Sequence, residues 1–243
     1  MLNYTPTPDL LTNRVILVTG ASRGIGRAAA KAFALHGATV ILLARTIPDL
    51  ESLYDEIEKN NAPTPAIYPL NLANATPQDY DTLKIDIEKQ FGKLDGILHN
   101  ASMLGSLTTI ELTPFEQWYH VLQVNLNAPF ILTSVLLPLL KKSEDASIIF
   151  TSADIGKKAR AYWGSYAVSK FGCEALMEIL SAELETNTNI RVNSINPGKI
   201  KTKLRKEAYP FEDPKSLRTP EDILPYYLYL MGLESKGITG KGF

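Results

Sequence analysis

Short apolar runs alternate with longer stretches of helical periodicity along the whole chain. Six runs have the length and apolar character of buried strands, and they span residues 14–19, 39–44, 66–70, 94–98, 147–151 and 190–195. This alternation predicts an α/β fold, a doubly wound parallel sheet of six to seven strands with helices on both faces. Right-handed crossovers would place the carboxyl ends of all strands at one edge of the sheet. Because doubly wound sheets bind ligands at that edge, we expect functional residues directly after strands.

The composition favours one domain and argues against several functional classes. With 243 residues and 45% hydrophobic content, the chain can bury a single core. The near balance of 25 basic and 26 acidic residues gives no general attraction to nucleic acid or to anionic membranes. A single cysteine, Cys173, excludes an intramolecular disulfide and suits a reducing compartment.

Neither the N-terminus nor the longest apolar segment predicts export or membrane insertion. Residues 1–13 form an N-terminal extension with polar residues and two prolines, unlike a signal peptide, so we expect a cytoplasmic protein. Polar residues and prolines interrupt the apolar segment 121–140, which we interpret as a long buried helix. The three histidines have no metal-ligand spacing, so we expect no metal.

Ser152, Tyr166 and Lys170 have a spacing typical of acid catalysis. Tyr166 and Lys170 share one face of a predicted helix, so the lysine ammonium can lie beneath the phenol ring. Opposite-charge attraction then favours the phenolate, and Tyr166 becomes able to exchange a proton with a substrate oxygen. Ser152 ends the apolar run before it and can hydrogen-bond that same oxygen. Because Tyr-x3-Lys also occurs on solvated helices, the spacing is weak evidence without a cofactor site.

A glycine-rich turn provides the context for such a cofactor. The strand 14–19 is followed by Gly-Ala-Ser-Arg-Gly-Ile-Gly at residues 20–26 and then by a helical pattern. Glycines permit a tight turn and close approach of the backbone, and the start of the helix offers free N–H groups to a pyrophosphate. The order of strand, glycine turn and helix predicts a Rossmann-type dinucleotide site. The alternative is a glycine turn that closes an ordinary strand-to-helix unit.

Together these motifs resemble the short-chain dehydrogenase/reductase family, and the resemblance covers nearly the whole chain. It implies that Asn100 and Ala101 lie beside the adenosine half of the cofactor, with Ser102 in place of the family's usual glycine. Asn125 matches the family's catalytic asparagine. In the family this residue bends its helix and holds a water that connects the lysine, here Lys170, to solvent.

The resemblance extends to the C-terminal third. Pro197, Gly198 and Thr202 match the segment around the nicotinamide, and residues 199–218 match the mobile lid over the substrate. Residues 237–243 begin the family's entry to a seventh strand and then end, so this strand is either short, truncated or disordered. The segments 9–11, 94–101, 163–167 and 212–214 narrow the match to the bacterial YciK-type oxidoreductases, whose physiological substrate does not follow from the likeness.

Two arginines distinguish between the nicotinamide cofactors. The strand 39–44 ends without the acidic residue that would bind the ribose of NAD(H), and Arg45 follows it, while Arg23 lies in the glycine turn. Because two guanidiniums can pair with a 2′-phosphate, we favour NADP(H) over NAD(H). The alternative is that both arginines are simply solvated. Asn71 and Leu72 occupy the position where the family has an aspartate that accepts from the adenine amine.

The predicted site residues fall into two groups. Those assigned to catalysis are Asn125, Ser152, Tyr166 and Lys170. Those assigned to the cofactor are Gly20, Ser22, Arg23, Gly24, Ile25, Gly26, Arg45, Asn71, Leu72, Asn100, Ala101, Tyr166, Lys170, Pro197, Gly198 and Thr202.

The substrate is less well defined than the cofactor. Basic residues crowd both sides of the predicted mouth, at Lys157, Lys158, Arg160, Lys199, Lys201, Lys203, Arg205 and Lys206. They either select an anionic substrate or are solvated, as charges on loops usually are. Tyr162 and Trp163 either line an apolar pocket or pack at the start of a helix.

The predicted function is that of an NADP(H)-dependent oxidoreductase acting on a small carbonyl or alcohol, with Tyr166 as general acid–base group. The alternatives are a non-catalytic dinucleotide sensor or scaffold and, with less support at this length, an epimerase or dehydratase. The family likeness also implies a homodimer or homotetramer. Apolar residues on more than one face of two helices support assembly, namely Leu132, Val135, Leu136, Phe171, Leu176, Met177 and Leu180.

Overall fold

A seven-stranded parallel sheet organises the protein. The computed structural model describes residues 4–243. The strands are β1 (Val15–Thr19), β2 (Thr39–Ala44), β3 (Ala66–Pro69), β4 (Gly96–His99), β5 (Ala146–Thr151), β6 (Ile190–Ile195) and β7 (Lys241–Gly242). Their order in the sheet is β3-β2-β1-β4-β5-β6-β7, and every neighbouring pair is parallel. The predicted fold class, a single-domain doubly wound α/β sheet, is therefore confirmed.

Helices cover both faces of this sheet. They are α1 (Gly24–Leu35), α2 (Ile47–Lys59), α3 (Pro77–Phe91), α4 (Phe115–Leu122), α5 (Ala128–Leu140), α6 (Gly164–Leu184), α7 (Lys203–Ala208) and α8 (Leu224–Met231). One apolar cluster joins the sheet to α1, α2 and α8, and a second joins it to α3, α5 and α6. In β1, Ile16 and Val18 enter the first cluster while Val15 and Leu17 enter the second. Because both faces are buried, the strand is a continuous apolar run rather than an alternating one.

The segment Phe115–Leu140 is a long helix interrupted by a π-turn at Gln123–Asn127. By length and composition alone, it is the one helix among residues 4–243 that could cross a membrane. Core helices of soluble proteins have the same properties, and Leu132, Leu136 and Leu139 are fully buried against the sheet. Phe130, by contrast, is exposed, so the predicted long buried helix is present but buried on one face only.

The same burial corrects part of the predicted assembly surface. Leu132, Leu136 and Met177 belong to the core between the sheet and the helices α5 and α6, so they are not on an outer face. Phe171, by contrast, is exposed. Helical periodicity identifies apolar faces, but it does not say which face packs on the sheet.

A buried charge cluster closes the amino edge of the sheet. Asp145, directly before β5, accepts hydrogen bonds from Arg14 at 3.0 Å and from Arg191 at 2.7 Å. Arg14 precedes β1 and Arg191 lies near the start of β6, and all three side chains are buried. The cluster therefore joins the amino ends of β1, β5 and β6. Removing one member would leave an uncompensated buried charge, which is strongly destabilising.

The last strand of the sheet is short. β7 pairs with β6 through two residues, Lys241 beside Asn193 and Gly242 beside Ser194. The backbone of Phe243 continues the pairing, since its carbonyl oxygen accepts from the Asn196 N–H at 2.8 Å. The end of β6, just before Pro197, is therefore paired with β5 on one side and with the C-terminal residues on the other.

Candidate active site

A cleft of about 650 Å³ lies at the carboxyl edge of the sheet. Its volume is in the range of small-molecule and cofactor sites, roughly 300–1,000 Å³. Of the residues predicted from the sequence, its walls contain Gly20, Ser22, Arg23, Gly24, Ile25, Arg45, Asn71, Leu72, Asn100, Ala101, Ser152, Tyr166, Lys170, Pro197, Gly198 and Thr202. Gly26 and Asn125 lie behind these walls. The structure therefore brings together residues from strand ends that are far apart in sequence.

Close backbone packing explains the glycines of the turn after β1. A β-carbon at Gly20 would lie 2.9 Å from the Ala101 Cα, and Gly20 has a φ of +68°. At Gly26, a β-carbon would collide with the Gly20 carbonyl oxygen and with the Asn100 side chain. Helix α1 begins at Gly24 without a side-chain cap, which leaves its first N–H groups for a ligand.

Thr19 is a structural residue of the site that was not predicted as part of it. Its Oγ1 accepts from the backbone N–H groups of Asn100 at 3.0 Å and Ala101 at 3.1 Å. The same hydroxyl donates to the Leu98 carbonyl at 3.3 Å. Thr19 thereby fixes the turn after β4 against the glycine turn. The Thr-Gly pair was visible in the sequence, but its contacts across two strands were not.

Ser152 presents a free hydroxyl to the cleft. Its backbone N–H donates to the Ile195 carbonyl at 2.7 Å, which holds the residue at the end of β5. Its Oγ is buried and, within residues 4–243, has no hydrogen-bond partner. A buried polar group without a partner costs about 1–3 kcal/mol. Such a hydroxyl is suited to a ligand oxygen that would complete it.

Tyr166 and Lys170 lie on the first turns of α6, and both are buried. The Lys170 Nζ is 5.6 Å from the centroid of the Tyr166 ring, so the predicted proximity of ammonium and phenol is present. Lys170 Nζ also donates to the Thr151 carbonyl at 2.8 Å, one residue before Ser152. This bond anchors α6 to the end of β5 and places the three side chains in one wall of the cleft.

Asn125 lies in the π-turn, where its side chain holds the neighbouring loop and helix. Its Oδ1 accepts from the Met103 N–H at 2.7 Å, and its Nδ2 donates to the Met103 carbonyl and to Ser169 Oγ. The predicted bend of the helix is thus present as a π-turn, a feature frequent at functional sites. Because both amide donors are used, the side chain positions its surroundings. Its backbone carbonyl accepts from the Cys173 thiol at 2.9 Å.

The segment after β6 is braced by Arg218, another residue that was not predicted. Arg218 donates from Nη2 to the Pro197 carbonyl at 2.9 Å, and its own carbonyl accepts from the Lys201 N–H at 2.8 Å. Thr202 caps α7, since its Oγ1 accepts from the Arg205 N–H at 3.1 Å. Hydrogen bonds therefore join the two ends of the predicted lid, residues 199–218.

Two unpaired cations lie at the opposite end of the cleft. Arg23 and Arg45 are exposed and line the cleft, and neither guanidinium has a hydrogen-bond or ion-pair partner within residues 4–243. The Asn71 Oδ1 accepts from the Ala73 N–H at 3.3 Å, a long bond that engages the oxygen only in part. Within residues 4–243, neither arginine is therefore neutralised by an ion pair with a carboxylate.

The structure distinguishes between the two alternatives for Trp163 and Tyr162. Trp163 lines the cleft and packs against Tyr166, with ring centroids 5.9 Å apart. Tyr162 is exposed and is absent from the walls of the cleft, so it does not form part of the pocket. A chain reversal at Tyr162, which has a φ of +74°, separates these neighbouring rings.

His99 is excluded from proton transfer by its burial. Desolvation lowers the pKa of His99 to about 3, so the ring stays neutral. It stacks on Phe150 and shares a 2.8 Å hydrogen bond with Thr133 Oγ1. His99 is therefore a packing residue at the end of β4.

The chemistry of the cleft fits a nicotinamide dinucleotide. The glycine turn and the start of α1 provide backbone room and N–H groups for a pyrophosphate. Two free guanidiniums lie at one end, and an unpartnered serine hydroxyl lies beside a tyrosine and a lysine at the other.

The comparisons with known proteins agree with this assignment. The family model for short chain dehydrogenases matches residues 14–213. The chain belongs to the short-chain dehydrogenase family. Its oxidoreductase class follows from that membership, whereas the substrate and the cofactor preference do not.

Similar proteins of this family cover the whole length of the chain. The oxidoreductase YciK of Escherichia coli (strain K12) is 45% identical over 242 residues, which span 100% of this chain and 95% of the relative. A short chain dehydrogenase structure from Pseudomonas syringae has 55% identity and a TM-score of 0.97, covering 100% and 98% of the two chains. A structure from Escherichia coli CFT073, solved in complex with NADPH, has 46% identity and a TM-score of 0.94, covering 98% of each chain.

The crowding at Gly26 makes a prediction about the cofactor site. We expect Gly26→Ala to cost about 1–3 kcal/mol of stability through overpacking and to weaken dinucleotide binding at least 10-fold, because the turn must shift. Urea unfolding and calorimetric titration with NADPH measure both effects. Gly92→Ala is the matched control: Gly92 has a φ of +75° but open space around it, so only stability should fall. Unchanged NADPH affinity in Gly26→Ala would contradict this account of the turn.

Proposed function

We propose that this short-chain dehydrogenase is an NADP(H)-dependent oxidoreductase that exchanges hydride between C4 of nicotinamide and a carbonyl or alcohol carbon. The observation that carries the proposal is the convergence of Ser152, Tyr166 and Lys170 in one wall of the cleft, with the Ser152 hydroxyl unpartnered. A protein that only senses a dinucleotide has no need of this proton-transfer set. The sensor or scaffold alternative therefore has less support.

In the reducing direction, Tyr166 is assigned as general acid and gives its phenolic proton to the substrate oxygen. Ser152 Oγ donates a hydrogen bond to the same oxygen and stabilises the charge that develops there. When bound, the nicotinamide supplies the hydride. The direction of each proton transfer reverses for alcohol oxidation, with Tyr166 as general base.

Lys170 and Asn125 are assigned supporting roles in this proton transfer. Lys170 uses one N–H to bind the Thr151 carbonyl, which leaves two donors for the Tyr166 phenol and the cofactor ribose. Asn125 is assigned to the water relay that connects Lys170 to solvent. Its side chain meanwhile holds the Met103 backbone and Ser169 in place.

Substitution of Tyr166 tests the catalytic assignment. We expect Tyr166→Phe to retain NADPH affinity, because the ring still packs, and to lower kcat by about 10²–10⁴-fold, because the transferable proton is lost. Calorimetry measures the affinity, and loss of NADPH absorbance with a carbonyl compound reduced by the wild type measures turnover. Lys170→Ala should impair both properties, since it contacts both ribose and phenol. Near-normal turnover by Tyr166→Phe would show that another group supplies the proton.

We also propose that the cofactor is NADP(H) in preference to NAD(H). Support comes from the unpaired guanidiniums of Arg23 and Arg45 and from the lack of an acidic residue at the end of β2, where Ala44 stands. The NADPH complex of the similar Escherichia coli CFT073 protein points the same way. Charge-assisted bonds from a guanidinium to a 2′-phosphate account for the preference.

Cofactor titrations test this preference. Arg45→Ala should weaken NADPH binding about 10- to 100-fold, the equivalent of one charge-assisted contact, and leave NADH nearly unchanged. Ala44→Asp should go further, since a carboxylate there repels the phosphate and can accept from the 2′-hydroxyl of NADH. Higher salt should weaken NADPH binding more than NADH binding. Equal affinities of the wild type for the two cofactors would show that Arg45 is only solvated.

We further propose that the protein forms a homodimer or homotetramer through α5 and α6. Both helices carry apolar side chains with large exposed fractions: Phe130 at 56% on α5, and Phe171 at 41% and Ile179 at 56% on α6. Apolar surface of this kind on two neighbouring helices is suited to symmetric self-association.

Light scattering tests this assembly. At micromolar concentration we expect the mass of a dimer or tetramer of the 26.8 kDa chain. The double variant Phe130→Glu/Phe171→Glu should shift the mass downward without unfolding, because both side chains are exposed. A monomeric mass for the wild type would reject the proposal.

A further inference from the structure

The tyrosine at the end of α7 joins the lid to the opposite side of the cleft. Tyr209 lies 5.7 Å from the Trp163 ring, centroid to centroid, and both rings line the cleft. The Arg205 guanidinium lies over the Tyr209 ring, 3.8 Å from its centroid. The Tyr209 hydroxyl accepts from Arg160 at 3.3 Å. One lid residue therefore contacts both an aromatic wall and two cations.

Those two cations are not available to a ligand. Arg205 forms a bidentate pair with Glu212, with nitrogen–oxygen distances of 2.6 and 2.7 Å. The hydrogen bond from Arg205 lowers the pKa of Glu212, so this carboxylate stays ionised and keeps its partner. Arg160 forms an ion pair with Asp154 across the same region.

The other basic residues of the mouth are paired with a carboxylate or lie outside the walls of the cleft. Lys203 pairs with Glu207 at 3.9 Å, and Lys199 lies 4.0 Å from Glu212. Four more lysines are exposed and do not line the cleft: Lys157, Lys158, Lys201 and Lys206. Of these six lysines, only Lys203 lines the cleft, and it is paired with Glu207.

The wall beside the Tyr166 hydroxyl is apolar. Leu104 and Ile155 are buried against Tyr166 in one small cluster, and Trp163 and Leu204 pack on it. All four side chains line the cleft. A charged group entering this space would lose water without gaining a partner, which is costly for an anion.

We propose that the substrate is an uncharged carbonyl compound with an aromatic or branched alkyl substituent, and that Tyr209 is a specificity-determining residue that closes its pocket. This inference rests on the proposed oxidoreductase function. The substituent packs against the surface formed by Trp163, Leu204 and Tyr209, while the carbonyl oxygen faces Ser152 and Tyr166. The ion pairs around Tyr209 hold the ring over the pocket and keep both guanidiniums from attracting anions.

Binding of unreactive analogues tests the inference without turnover. Benzamide carries a carbonyl that the protein cannot reduce, and 4-carboxybenzamide adds one negative charge to it. In calorimetric titrations of the protein–NADPH complex, the Kd of benzamide should be at least roughly 10-fold lower than the Kd of 4-carboxybenzamide. Tighter binding of 4-carboxybenzamide, or no binding of benzamide, would overturn the inference.

Three variants separate the contribution of the ring from that of the charges. Tyr209→Ala should weaken benzamide binding roughly 10-fold, whereas Tyr209→Phe should retain it, because only the ring contacts the ligand. Glu212→Gln keeps the shape of the side chain but releases Arg205. This variant should bind 4-carboxybenzamide roughly 10-fold tighter and leave benzamide nearly unchanged. Equal affinities of all variants for both analogues would show that the lid does not select for charge.

Turnover distinguishes failure of the inference from failure of the proposed function. With NADPH, the wild type should reduce benzaldehyde with a kcat/KM at least roughly 10-fold above that of 4-carboxybenzaldehyde. In Tyr209→Ala this advantage should shrink through a higher KM for benzaldehyde. Preference for the carboxylate, or for a phosphate-bearing acyl thioester, would reject the substrate class but retain the oxidoreductase. No reduction of any carbonyl compound by a protein that binds NADPH would reject the oxidoreductase, and the substrate class with it.

Discussion

Parallel pairing of all seven strands is the constraint on which the site depends. Because neighbouring strands run in the same direction, the residues that follow β1, β4, β5 and β6 meet at one edge although they lie far apart in the sequence. The glycine turn, Asn100, Ser152 and Pro197 each occupy such a position. The opposite edge is closed by the buried cluster of Arg14, Asp145 and Arg191. Structural charges and ligand-binding groups are thereby separated by the length of the strands.

Hydrogen bonds from helix α6 fix the proposed catalytic groups relative to the sheet. The bond from Lys170 to the Thr151 carbonyl ties this helix to the end of β5, and Asn125 ties it to the loop after β4 through Ser169 and Met103. Most buried polar atoms in this region are used in such bonds. Within residues 4–243, the hydroxyls of Ser152 and Ser102 line the cleft without a hydrogen-bond partner. Of the two, Ser152 is assigned to the substrate oxygen because it lies in the same wall as Tyr166 and Lys170.

At the mouth of the cleft, ion pairs with carboxylates reduce the number of basic side chains that are free to bind an anion. Eight basic residues crowd the two sides of the mouth, and their number alone would favour an anionic substrate. In the folded protein, Arg205 and Arg160 are held by Glu212 and Asp154 and are packed around Tyr209. The wall of the cleft beside Tyr166 is apolar. The charge that the cleft presents therefore depends on which arginines are paired with carboxylates, and not only on how many basic residues the sequence contains.

The amino-acid sequence was enough to predict the α/β class, the strand positions within one or two residues, and a set of candidate site residues, most of which line the cleft. These features are local: strand-length apolar runs, a glycine turn between strand and helix, and a four-residue spacing on one helical face. The roles of Thr19 and Arg218, the position of Tyr162 outside the cleft, the burial of Leu132 and Met177, and the pairing of Arg205 with Glu212 could be read only from the folded protein. Each of these depends on contacts between residues distant in sequence, and no local pattern encodes which partner a side chain will meet.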